Sequence, residues 1–358
     1  MSIENIFGIS PYSLDAVQKE NLLLQELKTL TERHYELCPE YRLILQALNT
    51  DISNISCVAD IPFIPVRLFK EYNLKSNESI SRTMTSSGTT GQQVSKIFLD
   101  KRTAANQTKV LSKIVSSFIG GKRLPLIVLD SDVVIKDRNL FSARGAGILG
   151  FSMFGRDIIY ALDENMQLRT KEILSFIESH KNEDILLFGF TYIIWQHFYK
   201  ELVRSGKNLN LKNGILIHGG GWKKLVEQAI DNNAFHAALN SVCGISRIHN
   251  YYGMVEQTGS IYMECEYGNL HSSIYSDVIM RNPVNFSEAK TGEPGIIQTV
   301  SILPESYPGH SLLTEDVGTV LGIDDCPCGR KGKYFSIHGR IQNAEVRGCS
   351  DTYESSNV

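Results

Sequence analysis

Residues 83–91, Thr83-Met84-Thr85-Ser86-Ser87-Gly88-Thr89-Thr90-Gly91, interleave hydroxyls with glycines. In such a run the backbone N–H groups can turn inward and wrap an anion, most often a phosphate. The hydroxyls of Thr85, Ser86, Ser87, Thr89 and Thr90 add donors to the same task. No lysine follows at the spacing of a Walker A loop, so that chemistry is excluded. The same composition also reads as a flexible linker. A second glycine run, His218-Gly219-Gly220-Gly221, follows the apolar stretch Gly214–Ile217. Three glycines let a flat ring lie against bare backbone, although a purely structural turn has the same composition. A third cluster suits a metal. Cys326-Pro327-Cys328 is a tight knuckle, and Cys265 and His271 lie upstream of it. Three thiolates and an imidazole suit tetrahedral Zn²⁺, and a closed four-ligand site leaves no position for a reacting water. Four unrelated side chains are the alternative. Cys38, Cys57 and Cys243 read as small core residues.

These segments need elements to position them. Leucines at helical spacing run through 14–50, and residues 101–119, 165–180 and 191–205 also read as helices. Pro62 and Pro65 hold the intervening Asp60–Val66 extended. Val94–Leu99 reads as a strand directly after the hydroxyl-rich loop. Leu124–Asp130 and Ile185–Phe190 are apolar enough to be buried on both faces. Strands alternating with helices of this length predict βαβ units around a mainly parallel sheet. Ligands then bind at the C-terminal ends of the strands, where the second glycine run falls.

Composition narrows the function. The 358 residues carry a net charge of −3, which makes no case for nucleic acid or an anionic membrane surface as partner. No apolar run reaches the roughly 18–20 residues of a transmembrane helix. The N-terminus lacks the pattern of a signal peptide. Seven cysteines, an odd number, do not suit a disulfide framework, so a cytoplasmic protein with reduced thiols is expected.

In their order along the chain, the motifs resemble those of the adenylate-forming superfamily. Ser86-Ser87-Gly88-Thr89-Thr90-Gly91 resembles its phosphate loop, which holds ATP while a carboxylate attacks the α-phosphate. Arg67-Leu68-Phe69-Lys70, after the two prolines, resembles a segment of the phenylacetate–CoA ligase branch. His218-Gly219-Gly220-Gly221 occupies the place of the adenine-binding segment. Tyr252-Gly253-Met254-Val255-Glu256 resembles the Tyr-Gly-x-x-Glu motif. The resemblance implies that Tyr252 stacks on the adenine and that Glu256 ligates Mg²⁺ on the triphosphate. Leu313-Thr314-Glu315-Asp316 stands at the Thr-Gly-Asp motif, with Glu315 where the family usually has glycine. Asp316 is then the acceptor for the ribose hydroxyls. His338-Gly339-Arg340 matches the hinge Gly-Arg, which puts Arg340 near ribose or phosphate. The segments carrying Cys265, His271, Cys326 and Cys328 also occur in phenylacetate–CoA ligase-like enzymes, where they imply a structural zinc. The implied fold is α/β, the large N-terminal domain of an adenylate-forming enzyme, with mixed and parallel sheets flanked by helices. Residues 1–80 form its helical N-terminal part, 81–340 its core with the zinc knuckle, and 341–358 a short tail.

Only 18 residues follow Arg340, so the C-terminal lid of that superfamily, with its lysine, is expected to be missing. The tail instead contains Arg347-Gly348-Cys349-Ser350. This resembles the LuxE-type acyl-protein synthetases, which activate a fatty acid as acyl-AMP, take the acyl group on a cysteine near their own C-terminus and pass it to a reductase. The resemblance makes Cys349, Glu256 and Arg340 the catalytic candidates, and ATP, Mg²⁺ and structural Zn²⁺ the cofactors. A neighbouring Arg347 favours the Cys349 thiolate. Two other readings remain. One is a ligase that acylates coenzyme A or a carrier protein, and the other is a non-catalytic nucleotide- and zinc-binding scaffold. Ser142 and Arg144 suit a polar acid or a structural role equally well. The acid's chain length is not legible.

Overall fold

The computed structural model describes residues 3–86, 93–136, 143–222 and 228–341. These residues form two compact units that interleave along the chain. One takes 3–86, 93–117 and 253–341, and the other takes 118–136, 143–222 and 228–252. The strands of the first half are β1 (Ile64–Pro65), β2 (Arg82–Thr85), β3 (Lys96–Leu99), β4 (Leu124–Ser131), β5 (Gly155–Leu162), β6 (Ile185–Phe190) and β7 (Gly214–Gly219). Those of the second half are β8 (Arg247–Tyr252), β9 (Tyr262–Glu264), β10 (Leu270–His271), β11 (Ser276–Arg281), β12 (Pro294–Ser301), β13 (Ser311–Ile323) and β14 (Lys333–Arg340).

The 118–252 unit is the expected parallel α/β layer. Its strands stand in the order β5-β4-β6-β7-β8, and each neighbouring pair is parallel. Every residue of β6 and β7 is buried, as apolar strands covered on both faces require. Thr170–Ser179, Thr191–Ser205 and Asn232–Cys243 supply the covering helices. Asp231 starts the last of these by accepting the Ala234 N–H at 2.9 Å. The core joins Leu129, Leu187, Leu216 and Ile248 of the sheet to Phe176, Phe198 and Phe235 of the helices. Two details differ from the sequence reading. The helix expected over 165–180 begins at Thr170, because Asp163 Oδ1 instead accepts the N–H groups of Asn165 and Gln167 and closes a turn. The 191–205 helix contains a π-helical stretch over Ile194–Tyr199.

The other unit is antiparallel. Its strands follow β11-β12-β13-β14-β10-β9, and β1 pairs with β13 in parallel. Short connections between these strands leave no room for crossover helices, and antiparallel pairing follows. The hairpin β2–β3 forms a sheet of its own. The leucine-rich stretch becomes the helices Ala16–Leu37 and Pro39–Ala47, broken at Cys38 before the proline. Lys19 anchors the first of these helices. Its buried Nζ donates to Ser272 Oγ at 2.7 Å and to Asp277 Oδ1 at 3.2 Å. Among the described residues no helix is long and apolar enough to cross a membrane.

This unit also buries two neighbouring imidazoles, His34 and His310, with ring centres 4.9 Å apart. His34 Nε2 donates to the Pro304 carbonyl at 2.9 Å, so Nδ1 accepts from Ser76 Oγ at 2.7 Å. Burial holds His34 down to about 3, and it holds His310 well below its ordinary value. In the unfolded chain both return to about 6.5. Below that pH the unfolded state binds protons that the native state refuses, so stability falls as pH falls. We expect the urea midpoint to drop between about pH 7.5 and pH 5. In His310→Gln the dependence should ease by up to about 1.4 kcal/mol per pH unit. An unchanged pH dependence in the variant would assign the effect to other groups.

Candidate active site and metal centre

Beyond Tyr252, the last residue of β8, the chain turns through Gly253 into a helical turn, Val255–Gln257. Glu256 is only 2 % exposed, and its backbone is clamped within the antiparallel unit. Tyr307 Oη donates to the Glu256 carbonyl at 2.8 Å, and Gln107 Nε2 donates to Tyr307 Oη at 3.3 Å. Phe69 packs edge-on against the Tyr307 ring. The Gln257 side chain donates to the carbonyls of Thr299 and Gly309, at 3.2 and 2.8 Å. At Gly259, with φ +91°, a side chain would meet the Gln107 carbonyl oxygen at 2.6 Å. The turn is therefore held from the helix Lys101–Ile119, from β12 and from the β12–β13 connection. Neither Tyr307 nor Gln107 carried a signal in the sequence, since neither belongs to a spaced motif.

In the same unit, Asp316 and Arg340 are direct cross-strand partners in β13 and β14. Arg340 Nε lies 3.6 Å from Asp316 Oδ1. Thr314 Oγ1 donates to the Ile297 carbonyl at 2.7 Å and accepts the Asp316 N–H at 3.1 Å. Glu315 lies in extended strand backbone that any residue adopts, so its place in a glycine position costs no strain. Thr85 ends β2 opposite Lys96. Beyond it, Ser86 Oγ accepts the Ser95 N–H at 2.9 Å. Ser87, Gly88, Thr89, Thr90, Gly91 and Cys349 lie outside the described residues, as does Ser142.

In the parallel unit, His218 and Gly219 end β7, with Gly220 and Gly221 beyond. Aromatic rings account for two of these glycines. A side chain on Gly219 would come within 2.7 Å of the Tyr251 ring, and one on Gly220 within 2.8 Å of Phe190. Tyr252 stands at the same C-terminal edge, at the end of β8. Arg144 engages the buried Asp130 at the end of β4, with Nε donating at 2.6 Å and Nη2 forming a second contact. That engagement favours its structural role. Trp195, Tyr199, Trp222 and Phe235 line one face of this unit; Trp195 stacks on Tyr199 and meets Trp222 edge-on.

The structure brings the four thiol and imidazole groups together. Cys265 enters the β9–β10 turn and His271 ends β10, while Cys326 and Cys328 lie in the β13–β14 connection. One ligand atom from each of the four lies within 4.8 Å of all the others. Cys265 and Cys326 have their sulfurs 3.9 Å apart, and Cys328 Sγ lies 3.4 Å from His271 Nε2. A tetrahedron with zinc–sulfur bonds of about 2.3 Å has edges of about 3.8 Å, so the donor set and its spacing fit that ion. The Tyr267 N–H points at Cys265 Sγ, and Asn269 Nδ2 donates to Cys326 Sγ. Burial pushes the Cys265 thiol up to about 12, whereas it holds His271, with Arg330 nearby, down to about 4. The imidazole is thus kept in its neutral, ligating form.

Solved structures with this fold are adenylate-forming CoA ligases. An open conformation of 2-hydroxyisobutyryl-CoA ligase, in complex with 2-HIB-AMP and CoA, aligns with a TM-score of 0.68 at 15 % identity, over 94 % of this chain and 78 % of that one. The same ligase in its thioesterification state aligns equally well, over 94 % of this chain and 71 % of that one. The family described as "Acyl-protein synthetase, LuxE" matches residues 2–356, and the chain belongs to it. A curated relative, the long-chain-fatty-acid–luciferin-component ligase of Vibrio harveyi, is 22 % identical over 355 residues, 91 % of this chain and 88 % of the relative. The family resemblance and the mixed α/β fold drawn from the motif order are thus borne out.

The clamp on Glu256 has a measurable cost when broken. Tyr307→Phe keeps the ring but leaves the buried Glu256 carbonyl and Gln107 amide without that partner. We expect a loss of about 1–3 kcal/mol in denaturant unfolding. Stability equal to the wild type would show that the hydroxyl is dispensable.

Proposed function

We propose that the protein activates a carboxylic acid, most simply a fatty acid, as acyl-AMP and then carries the acyl group on Cys349 to a partner such as an acyl reductase. A carboxylate oxygen attacks the α-phosphorus of ATP and pyrophosphate leaves. The Cys349 thiolate then attacks the acyl carbonyl and AMP leaves with the bond's electron pair. The observation that carries this reading is the buried, clamped Glu256 four residues beyond Tyr252, in a chain of this family. In this reading Thr85, Ser86, Ser87, Gly88, Thr89, Thr90 and Gly91 hold the phosphates. His218, Gly219, Gly220, Gly221, Tyr252 and Gly253 hold the base, and Asp316 holds the ribose. Glu256 is the ligand for Mg²⁺, whose charge offsets that of the triphosphate. Arg340 neutralises charge near ribose or phosphate. The name of the Vibrio harveyi relative supports a long-chain acid. The CoA-ligase fold of the solved neighbours supports the second reading, acyl transfer to coenzyme A. The free thiols of the described cysteines fit a reducing, cytoplasmic setting.

One experiment separates these readings. Glu256→Gln should cut acid-dependent pyrophosphate release by about 10²-fold, the scale of losing a positioned charge. Cys349→Ser should keep that release but lose the hydroxylamine-labile acyl label that survives denaturation in the wild type, because a hydroxyl is the weaker nucleophile. Normal labelling of Cys349→Ser would move the acyl carrier elsewhere. Unlabelled wild type that makes acyl-CoA would favour the coenzyme A ligase.

We further propose a structural zinc on Cys265, His271, Cys326 and Cys328. Metal analysis of protein purified without chelator should find about one equivalent, and Cys326→Ser should lose it together with thermal stability, since such a site couples to folding. Metal-free wild type with an equally stable variant would refute the site.

A further inference from the structure

The four groups of the metal cluster are not equally sheltered. Cys265, Cys326 and His271 are at most 4 % exposed. Cys328 is only half-buried, and it sits between two exposed residues, Pro327 and Gly329. A small solute therefore meets Cys328 first. The Arg330 guanidinium lies beside that sulfur and is itself held by Glu266 Oε2 at 2.9 Å. Partial exposure next to a fixed cation is the setting of a reactive cysteine, because the cation favours the thiolate.

A second sulfur is within reach. One ligand atom of each of the four residues lies within 4.8 Å of all the others. Cys326 shares the knuckle with Cys328, and the rigid ring of Pro327 restricts so short a loop. Cys265 comes from the facing β9–β10 turn and meets no such restriction. A bond from Cys265 to Cys328 would join the same two segments that a metal joins. Both segments also carry hydrogen bonds that do not run through a metal. The Gly268 N–H donates to the Cys265 carbonyl at 3.0 Å, and the Gly329 N–H donates to the Cys326 carbonyl at 3.0 Å. The Lys331 N–H reaches the Tyr12 carbonyl at 3.0 Å, and the Gly332 N–H reaches Asp324 Oδ1 at 2.7 Å. The loops therefore keep their shape if the metal leaves.

We propose that Cys328 is an oxidation site, at which a hydroperoxide converts the Cys328 and Cys265 thiolates into a disulfide and expels the zinc, and from which a reductant with zinc restores the centre. This rests on the reading of the four groups as a zinc site. In the first step the Cys328 sulfur attacks one peroxide oxygen. The S–O bond forms as the O–O bond breaks, and the departing hydroxide takes a proton and leaves as water. In the second step the Cys265 thiolate attacks the Cys328 sulfenic sulfur. The S–S bond forms as the S–O bond breaks, and hydroxide again takes a proton and leaves as water. The two thiolates give up two electrons, and the peroxide is reduced to two waters. Zinc then keeps only Cys326 and His271 and is released.

The test uses the full chain purified with its zinc, hydrogen peroxide as the oxidant and a chromogenic chelator that reads free metal. Peroxide should release about one equivalent of zinc, and tandem mass spectrometry should find Cys265 joined to Cys328. Dimedone, which traps sulfenic acids, should label Cys328 before the other two cysteine ligands. A phosphine reductant followed by zinc should restore the metal. Cys328→His keeps four ligands and should hold its zinc through the same treatment. If that variant does not fold, the dimedone label on the wild type decides. Cys328→His that loses zinc as readily as the wild type overturns the proposal. So does a disulfide other than Cys265–Cys328, a label first on Cys265 or Cys326, or a release that reduction does not reverse. Wild type without zinc before treatment refutes the metal site itself, and this inference with it. Zinc present before peroxide and retained after it refutes this inference alone.

Discussion

A buried turn must find partners for its backbone inside the protein, and that constraint governs the antiparallel unit. The run Gly253–Ser260 leaves the strand geometry that would have paired its carbonyls automatically. Each buried carbonyl left unpaired would cost on the order of 1–3 kcal/mol. The Met254, Val255 and Gln257 carbonyls find partners within the turn, and side chains hold the turn from three directions. Tyr307 reaches the Glu256 carbonyl, Gln257 reaches out to two carbonyls of the surrounding sheet, and Ser260 meets Ser301 at 2.6 Å. Gly259 lets the turn come against the helix backbone at Gln107. The result is a buried side chain on a backbone with little freedom.

The parallel unit solves a different problem by subtraction. Its glycine run lies at the end of β7, where Gly214–Ile217 is wholly apolar and buried. There the strand must stop without filling the space beyond it. Gly219 and Gly220 do this by having no side chain where the rings of Tyr251 and Phe190 already stand. Rings pressed on bare backbone make a stiff edge. His218, the residue before Gly219, is held by Thr191 at Nδ1 and by the Phe235 ring across its face.

Much of this was legible in the sequence, and the part that was not has a common cause. Apolar runs and their spacing marked β4, β6, β7 and the helices around them, because burial on both faces leaves a compositional trace. The ordered motifs marked the family, and Glu256, Asp316 and Arg340 with it. The cysteine knuckle was visible at short range, and Cys265 and His271 joined it only as upstream donors of suitable type, since 61 residues separate Cys265 from Cys326. The residues that orient the site were invisible. Tyr307 acts on Glu256 from 51 positions away, and Thr191 acts on His218 from 27. Tyrosines and threonines are common, and nothing local marks the ones that face a carbonyl or an imidazole. Pairing direction was also hidden for 253–341, where the alternation that marks a strand does not say which neighbour it joins.

Two buried imidazoles with bare acceptors rest on the same local arrangement. Thr31 Oγ1 donates to the Leu27 carbonyl, so it accepts from His310 Nε2 at 3.0 Å, just as Thr191 accepts from His218. In each case a threonine already committed to a carbonyl fixes the tautomer and leaves the other ring nitrogen without a described partner. His310, however, is enclosed by His34 and Tyr41, with ring centres 4.9 and 5.8 Å away, deep in a packed core. Its consequence is thermodynamic: a proton is refused, and acid becomes a denaturant. His218 stands one residue from the end of a parallel strand, on the face it shares with Tyr252. In both rings a threonine's prior commitment to a carbonyl decides which nitrogen carries the proton, and burial then keeps the ring from taking a second one.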